Sequence, residues 1–187
     1  DNAYGIFVTN TTPSGVALTT AANVTTTGAN SRGVVLVGTD ATAPNSATLT
    51  GNISATGTTA SGIVMQAAGT SADLTVGGNV TATDRGVYVS TTNATSSNIT
   101  LTTTAGKTIS ATANAIEASS TTGATSITNA ATVTSSAGNG IDVVNALGGS
   151  TINNSGDIAA TTAGNFVIAG GNAVETVTTT AGTLTGN

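Results

Sequence analysis

Eight carboxylates and three cations carry all the charged-group chemistry of this 187-residue chain, which has neither histidine nor cysteine. The acids are Asp1, Asp40, Asp73, Asp84, Glu117, Asp142, Asp157 and Glu175, and the cations are Arg32, Arg85 and Lys107. A glycan hydrolase or lyase needs clustered carboxylates, or a carboxylate beside a cation, at positions that the fold brings together. Glu117 and Asp142 come nearest, because they hold equivalent places in two similar clusters, AIEA and GIDVV, and would lie one strand spacing apart if those clusters stack. Two carboxylates fall short of the six or more oxygens that Ca²⁺ takes, and the glycine-rich nonapeptide that binds calcium in some β-helices is absent. Arg32 and Arg85 each precede a glycine that opens an apolar cluster, and Asp84 adjoins the second. That arrangement suits a sugar- or carboxylate-binding corner, and equally solvated residues with local ion pairs. Nucleophile–base pairs reduce to Ser or Thr with Lys107, whose surroundings do not single it out. The reading is therefore a non-enzyme with no catalytic residues, no metal site and no cofactor.

The elements that position these groups follow from a repeat. Seven times a short apolar cluster returns after a polar, Thr-rich interval: GIFV at Gly5, GVVLV at Gly33, GIVM at Gly62, GVYV at Gly86, AIEA at Ala115, GIDVV at Gly140 and NFVI at Asn165. The second residues of these clusters, Ile6, Val34, Ile63, Val87, Ile116, Ile141 and Phe166, are 24 to 29 positions apart, a period typical of solenoids. A second anchor follows in each repeat, an aliphatic before a small polar residue: Leu18, Leu49, Leu74, Leu101, Ile127, Ile152 and Val177. A third comes at Val24, Ile53, Val80, Ile109, Val133, Ile158 and Leu184. Because successive side chains of a strand point to opposite faces, a lone aliphatic between two Thr or Asn residues marks one inward and two outward positions. Three such strands close a coil. Seven coils at the ~4.8 Å strand spacing make a rod roughly 34 Å long.

Composition agrees. With 6% charged and 2% aromatic residues the chain is unlike an ordinary enzyme, and its positive mean hydropathy and periodic Val, Ile and Leu exclude a disordered tract. Thr and Val favour strands, and Gly and Asn favour turns. A net charge of -5 leaves no basic footprint for nucleic acid, and no run of 18 apolar residues or signal-like segment is present, so no membrane insertion is expected. Pro13 and Pro44 fall between first and second anchors, where TTPSG and GTDATAPNS are expected to leave the stack as loops.

The segments TINNSGDIAATTAGN, TSITNAATVTSSAGNGIDVV and LTGNISATGTTASGIVM resemble the passenger repeats of bacterial autotransporters and filamentous-haemagglutinin-like adhesins. The resemblance spans the chain. It implies a right-handed, single-stranded parallel β-helix over residues 1–187, secreted and displayed on a bacterial surface. The sequence departs from that pattern in lacking the alternating strands of a C-terminal barrel and a recognisable cap at either end. The chain opens just before a first cluster and closes just after a third anchor, so Asn187 followed by another Asp1 would read as one more turn. The expectation is a segment of a longer β-helix or subunits stacked head to tail, with self-association or a host surface receptor as partner.

The residue after each first anchor gives an outward rank of Phe7, Val35, Val64, Tyr88, Glu117, Asp142 and Val167, apolar and aromatic before it turns acidic. Phe7, Val35, Val64, Tyr88 and Val167 are the expected interface residues. A one-residue register slip would instead turn these side chains inward. T-x-T pairs at Thr48, Thr81, Thr100, Thr132 and Thr183 raise a second function, ice binding, although they fall on different strands and form an irregular rank. N-x-[ST] sequences at Asn10, Asn23, Asn52, Asn79, Asn93, Asn98 and Asn153 are glycan acceptors in a eukaryotic chain and turn residues otherwise.

Overall fold

The computed structural model describes residues 2–93, 97–144, 147–173 and 175–186. Asp1 and Asn187, on which the expected continuation of phase rests, lie outside the described residues. Every regular element among them is a strand. Twenty-one strands form three seven-stranded sheets, and in each sheet a strand pairs in parallel with the strands three before and three after it in the chain. The first sheet runs from Tyr4–Asn10 to Ile168–Ala169, the second from Val16–Thr20 to Glu175–Thr179, and the third from Val24–Thr27 to Leu184–Thr185. The chain is thus a β-solenoid of seven coils, three strands to a coil.

Register stacks like on like. The third sheet aligns Val24, Ile53, Val80, Ile109, Val133, Ile158 and Leu184 in one column. The first sheet aligns Ile6, Val34, Ile63, Val87, Ile116 and Ile141, and the column ends on Ile168. Phe166, expected as the seventh anchor, instead stands two residues earlier at the corner and is 64% exposed. An aromatic ring does not fit a column built from Ile and Val, whereas Ile168 stacks on Ile141 without change of width. In the second sheet Leu18 pairs with Ala47 and Ala47 with Leu74, so Ala47 and not Leu49 is the counterpart. Leu49 is also inward, stacked between Thr20 and Val76. The core so formed has Val34, Leu36, Ile63, Met65, Leu101, Ile116 and Ile127 at 1% exposure or less. The anchors are therefore inside, and the slipped register is excluded.

Polar side chains join the corners. At the turn into the third sheet, Asn23 Oδ1 accepts the Asn52 backbone N–H at 2.8 Å, Asn52 Oδ1 that of Asn79 at 3.0 Å, and Asn79 Oδ1 that of Thr108 at 3.0 Å. Asp157 continues the device, accepting from the Thr183 hydroxyl at 2.7 Å and its backbone N–H at 2.8 Å. Those two bonds, the hydroxyl first, hold the Asp157 carboxyl below its ordinary value of 3.8. On the inner side of the same corner, Thr103 donates to Asn129 Oδ1 at 2.6 Å and Asn129 Nδ2 to Asn154 Oδ1 at 2.8 Å, all three buried. These bonds satisfy groups that water cannot reach.

Glycines are needed where coils approach most closely. A Cβ on Gly78 would lie 1.9 Å from the Gly51 carbonyl oxygen, and one on Gly51 would lie 2.0 Å from that of Ala22. Pro44, expected in a loop, is the first residue of the strand Pro44–Leu49, a place where a missing N–H is tolerated. Asp40 and Asn10 shape the corner between first and second strands in the same way: each accepts the N–H and hydroxyl of the residue two positions on, Thr42 and Thr12.

Two outcomes follow. Leu101→Ala, in the middle of the core, should cost about 2–5 kcal/mol in denaturant unfolding, whereas Thr102→Ala on the outer face should stay within about 0.5 kcal/mol. The Asp157 carboxyl is depressed on folding, so its stabilisation is full above its unfolded value and is lost as pH falls through the lower folded one. Protection of the Thr183 amide against hydrogen exchange should therefore fall between about pH 5 and pH 2, and should fall much less in Asp157→Asn, whose amide oxygen accepts at either pH.

Candidate surface site on the first sheet

Three outward ranks run along the first sheet; the last of them, Thr9, Val37, Gln66, Ser90, Ser119 and Val144, is mixed, and the two before it carry the distinctive residues. The register places Tyr4 beside Arg32 and Arg32 beside Ser61. Backbone hydrogen bonds from Gly62 to Arg85, Gly86 to Asn114, Ala115 to Asn139 and Gly140 to Phe166 carry the same rank on through those residues. The second rank is Phe7, Val35, Val64, Tyr88, Glu117, Asp142 and then Ala169. All four aromatic residues of the chain and two of its three cations thus stand in two adjacent ranks on one face. The outward ranks of the other two sheets hold mostly Thr, Ser, Ala and Asn, as in Thr25, Ser54, Thr81, Ser110, Thr134, Ala159 and Thr185.

The five expected interface residues fare differently. Phe7 is 53% exposed and packs its ring 5.3 Å from that of Tyr4, which is itself well exposed. Tyr88 is half-buried beneath the Arg85 guanidinium, 4.7 Å from the ring centroid. Val35 and Val64 point outward but are only 1% and 5% exposed. Their short branched side chains lie in a rank between Phe7 and Tyr88 and beside arginines, so longer neighbours shield them. Val167 does not belong to the rank. The two-residue shift that brings Ile168 into the core column puts Val167 opposite Gly140, packed partly against the core, and Ala169 takes the outward place.

Past Tyr88 the face becomes a polar network. Arg85 Nε contacts Glu117 Oε2 at 2.9 Å, and Asn114 Nδ2 donates to Glu117 Oε2 at 2.9 Å and to Asp142 Oδ2 at 2.8 Å. Glu117 and Asp142 are register partners, so the two carboxylates are indeed one strand apart, bridged by the Asn114 amide. Asn114 also accepts the Asn139 N–H at 2.9 Å, which makes it a rung of another corner ladder. Sequence reasoning placed the carboxylates but missed their bridge, because Asn114 stands in the corner rank and not in the strand. Among the described residues no group of three or more His, Cys, Asp or Glu side chains is placed to hold a metal ion.

Between Arg32 and Arg85 lies a depression of about 340 Å³. It exists because Ser61 is short: the rank has a long cation, a hydroxymethyl group and a long cation on three successive strands. Val64 and Ser61 form the floor, and Asn30, Thr59, Gln66 and Asp84 complete the rim. The Ser61 hydroxyl donates to Asp84 Oδ2 at 3.2 Å.

No family model, curated protein or solved structure matches the chain.

The bridge is testable. Asn114→Ala removes the donor shared by two facing carboxylates and should cost about 2–3 kcal/mol in urea unfolding. Adding Asp142→Asn, which removes the repulsion between register partners, should recover up to about 1 kcal/mol. A double variant no more stable than the single one would show that the carboxylates do not need the bridge.

Proposed function

We propose that this chain is an extracellular structural and adhesive scaffold, a β-solenoid rod that meets its partner through the first-sheet face. The observation that carries the reading is the asymmetry of decoration: the core would be equally well served by Thr and Ser on all three outer faces, yet the aromatics and two of the three cations are confined to one. Aromatic and Arg side chains supply most of the energy of protein interfaces. The repeat's resemblance to autotransporter passengers and filamentous adhesins supports secretion and surface display. Phe166 stands in the same rank as Tyr4, and Val177 and Leu184 are about half exposed at the last coil. A second copy docked in register on this coil would cover these apolar groups.

A second reading is favoured by one specific observation. The T-x-T pairs look scattered in sequence, but the second sheet stacks Thr19, Thr48, Thr75, Thr102, Thr128, Asn153 and Thr178 in a single outward rank, six threonines of seven. Such a rank supports ordering of a water lattice, the basis of ice binding. Its neighbour, Ala17, Ser46, Asp73, Thr100, Ser126, Thr151 and Thr176, is mixed. The scaffold reading therefore stands first.

The two faces separate the readings. With the rod displayed on a non-adherent bacterium, Phe7→Ala with Tyr88→Ala should reduce surface attachment about tenfold or more, and Thr48→Ala with Thr102→Ala should leave it unchanged. Equal attachment in both variants would overturn the first-sheet contact. Thermal hysteresis in the purified chain, lost on Thr48→Ala with Thr102→Ala, would move the assignment to ice binding.

A further inference from the structure

The geometry points to the depression between Arg32 and Arg85 as a binding site for a carboxylate-bearing sugar ring, a hexuronate residue of an acidic polysaccharide. The inference goes beyond the scaffold reading, and either can fail without the other.

Charge is the first argument. The rod carries a formal charge of -5, yet two of its three cations flank this one hollow. Arg85 is already engaged, its Nε on Glu117 and its guanidinium over the Tyr88 ring. Its remaining nitrogens have no hydrogen-bond partner among the described residues. Arg32 differs: its guanidinium lies 6.0 Å from the Tyr4 ring centroid, and its side chain makes no ion pair or hydrogen bond among the described residues. Of the two, Arg32 is the cation whose charge is not already met by a carboxylate, and an arginine fork fits a carboxylate in bidentate fashion.

Shape and donor pattern select the sugar. Arg32 and Arg85 are two strands apart, so their backbones stand about 10 Å from one another across Ser61. That span suits a ring with its substituents better than a lone tetrahedral oxyanion. Asp84 is an acceptor, the guanidinia are donors, and the Asn30 and Gln66 amides are both, a mixture that neighbouring hydroxyls of a pyranose satisfy. Thr59 donates its hydroxyl to Asn30 Oδ1, and Asn30 sits at φ 58, the one non-glycine with positive φ among the described residues, so that this amide is tied to the rim. An apolar ligand would find little beyond Val64 and the edge of Tyr88. The volume is at the small end for ligand sites, enough for one ring and not for a buried chain.

Isothermal titration of the full chain with a galacturonate trisaccharide, the corresponding neutral galactose trisaccharide and inorganic sulfate tests the assignment. Saturable binding of the uronate with a Kd of about 1 mM or tighter is expected, with the neutral sugar at least tenfold weaker and sulfate unable to compete. Arg32→Ala should weaken the uronate at least about tenfold. Ser61→Gln, which fills the hollow from its floor without changing charge, should do the same, and circular dichroism should show both variants folded. Undetectable uronate binding, equal binding of the neutral sugar, equal competition by sulfate, or wild-type affinity in both variants would each overturn the proposal. If the titration fails while Phe7→Ala with Tyr88→Ala still reduces attachment about tenfold or more, the scaffold reading stands and this site does not.

Discussion

Everything in this molecule depends on parallel strands stacking in register at one strand spacing. A single coil has three to five inward Val, Ile, Leu or Met side chains and cannot bury them alone; its neighbours above and below complete the burial. The requirement is strict because the strand period is two, so a shift of one residue would exchange core for solvent on a whole face. Columns of Ile, Val and Leu fix that register. Corner ladders of Asn, Asp and Thr reinforce it, since each side-chain carbonyl takes the backbone N–H of the next coil and therefore bonds only when the coils are aligned. Glycines such as Gly78 let the turns nest closely enough for both to form.

The same constraint explains how a surface is written into the chain. Once the register is fixed, outward residues about 25 positions apart in sequence become neighbours about 4.8 Å apart. A sparse scatter of Tyr4, Phe7, Arg32, Arg85, Tyr88 and Phe166 thereby becomes a continuous face, and a scatter of threonines becomes a rank. The first-sheet face is uneven along the rod. Its beginning is aromatic and open, its middle is a hollow between two cations, and its far part is a pair of carboxylates locked by Asn114 and Arg85. Each of these zones has different chemistry on the same backbone.

The architecture was legible in the sequence because burial repeats. Three columns of seven anchors can be traced by eye, and the third is correct at every position. The two misplacements share a cause: where two apolar residues stand two positions apart, as in Ala47-Thr48-Leu49 or Phe166-Val167-Ile168, both fit the alternation and only the stack above and below chooses between them. Those slips had consequences. Taking Leu49 as the anchor put Thr50 in the outward rank where Thr48 stands, and taking Phe166 as the anchor put Val167 on a face where Ala169 stands. The site was less legible than the fold. Glu117 and Asp142 were paired correctly from spacing, but the burial of Val35 and Val64 and the hollow over Ser61 arise from differences in side-chain length between coils, which a repeat pattern does not encode.

The most direct test of the account is a distance along the rod. Spin labels at Thr19→Cys and Asn153→Cys sit in one outward rank, five strand spacings apart, which corresponds to about 24 Å between backbones. Pulsed dipolar spectroscopy should give one narrow distribution near that value, widened only by the label linkers. A broad distribution, or a maximum beyond about 35 Å, would contradict in-register stacking and with it every surface described above.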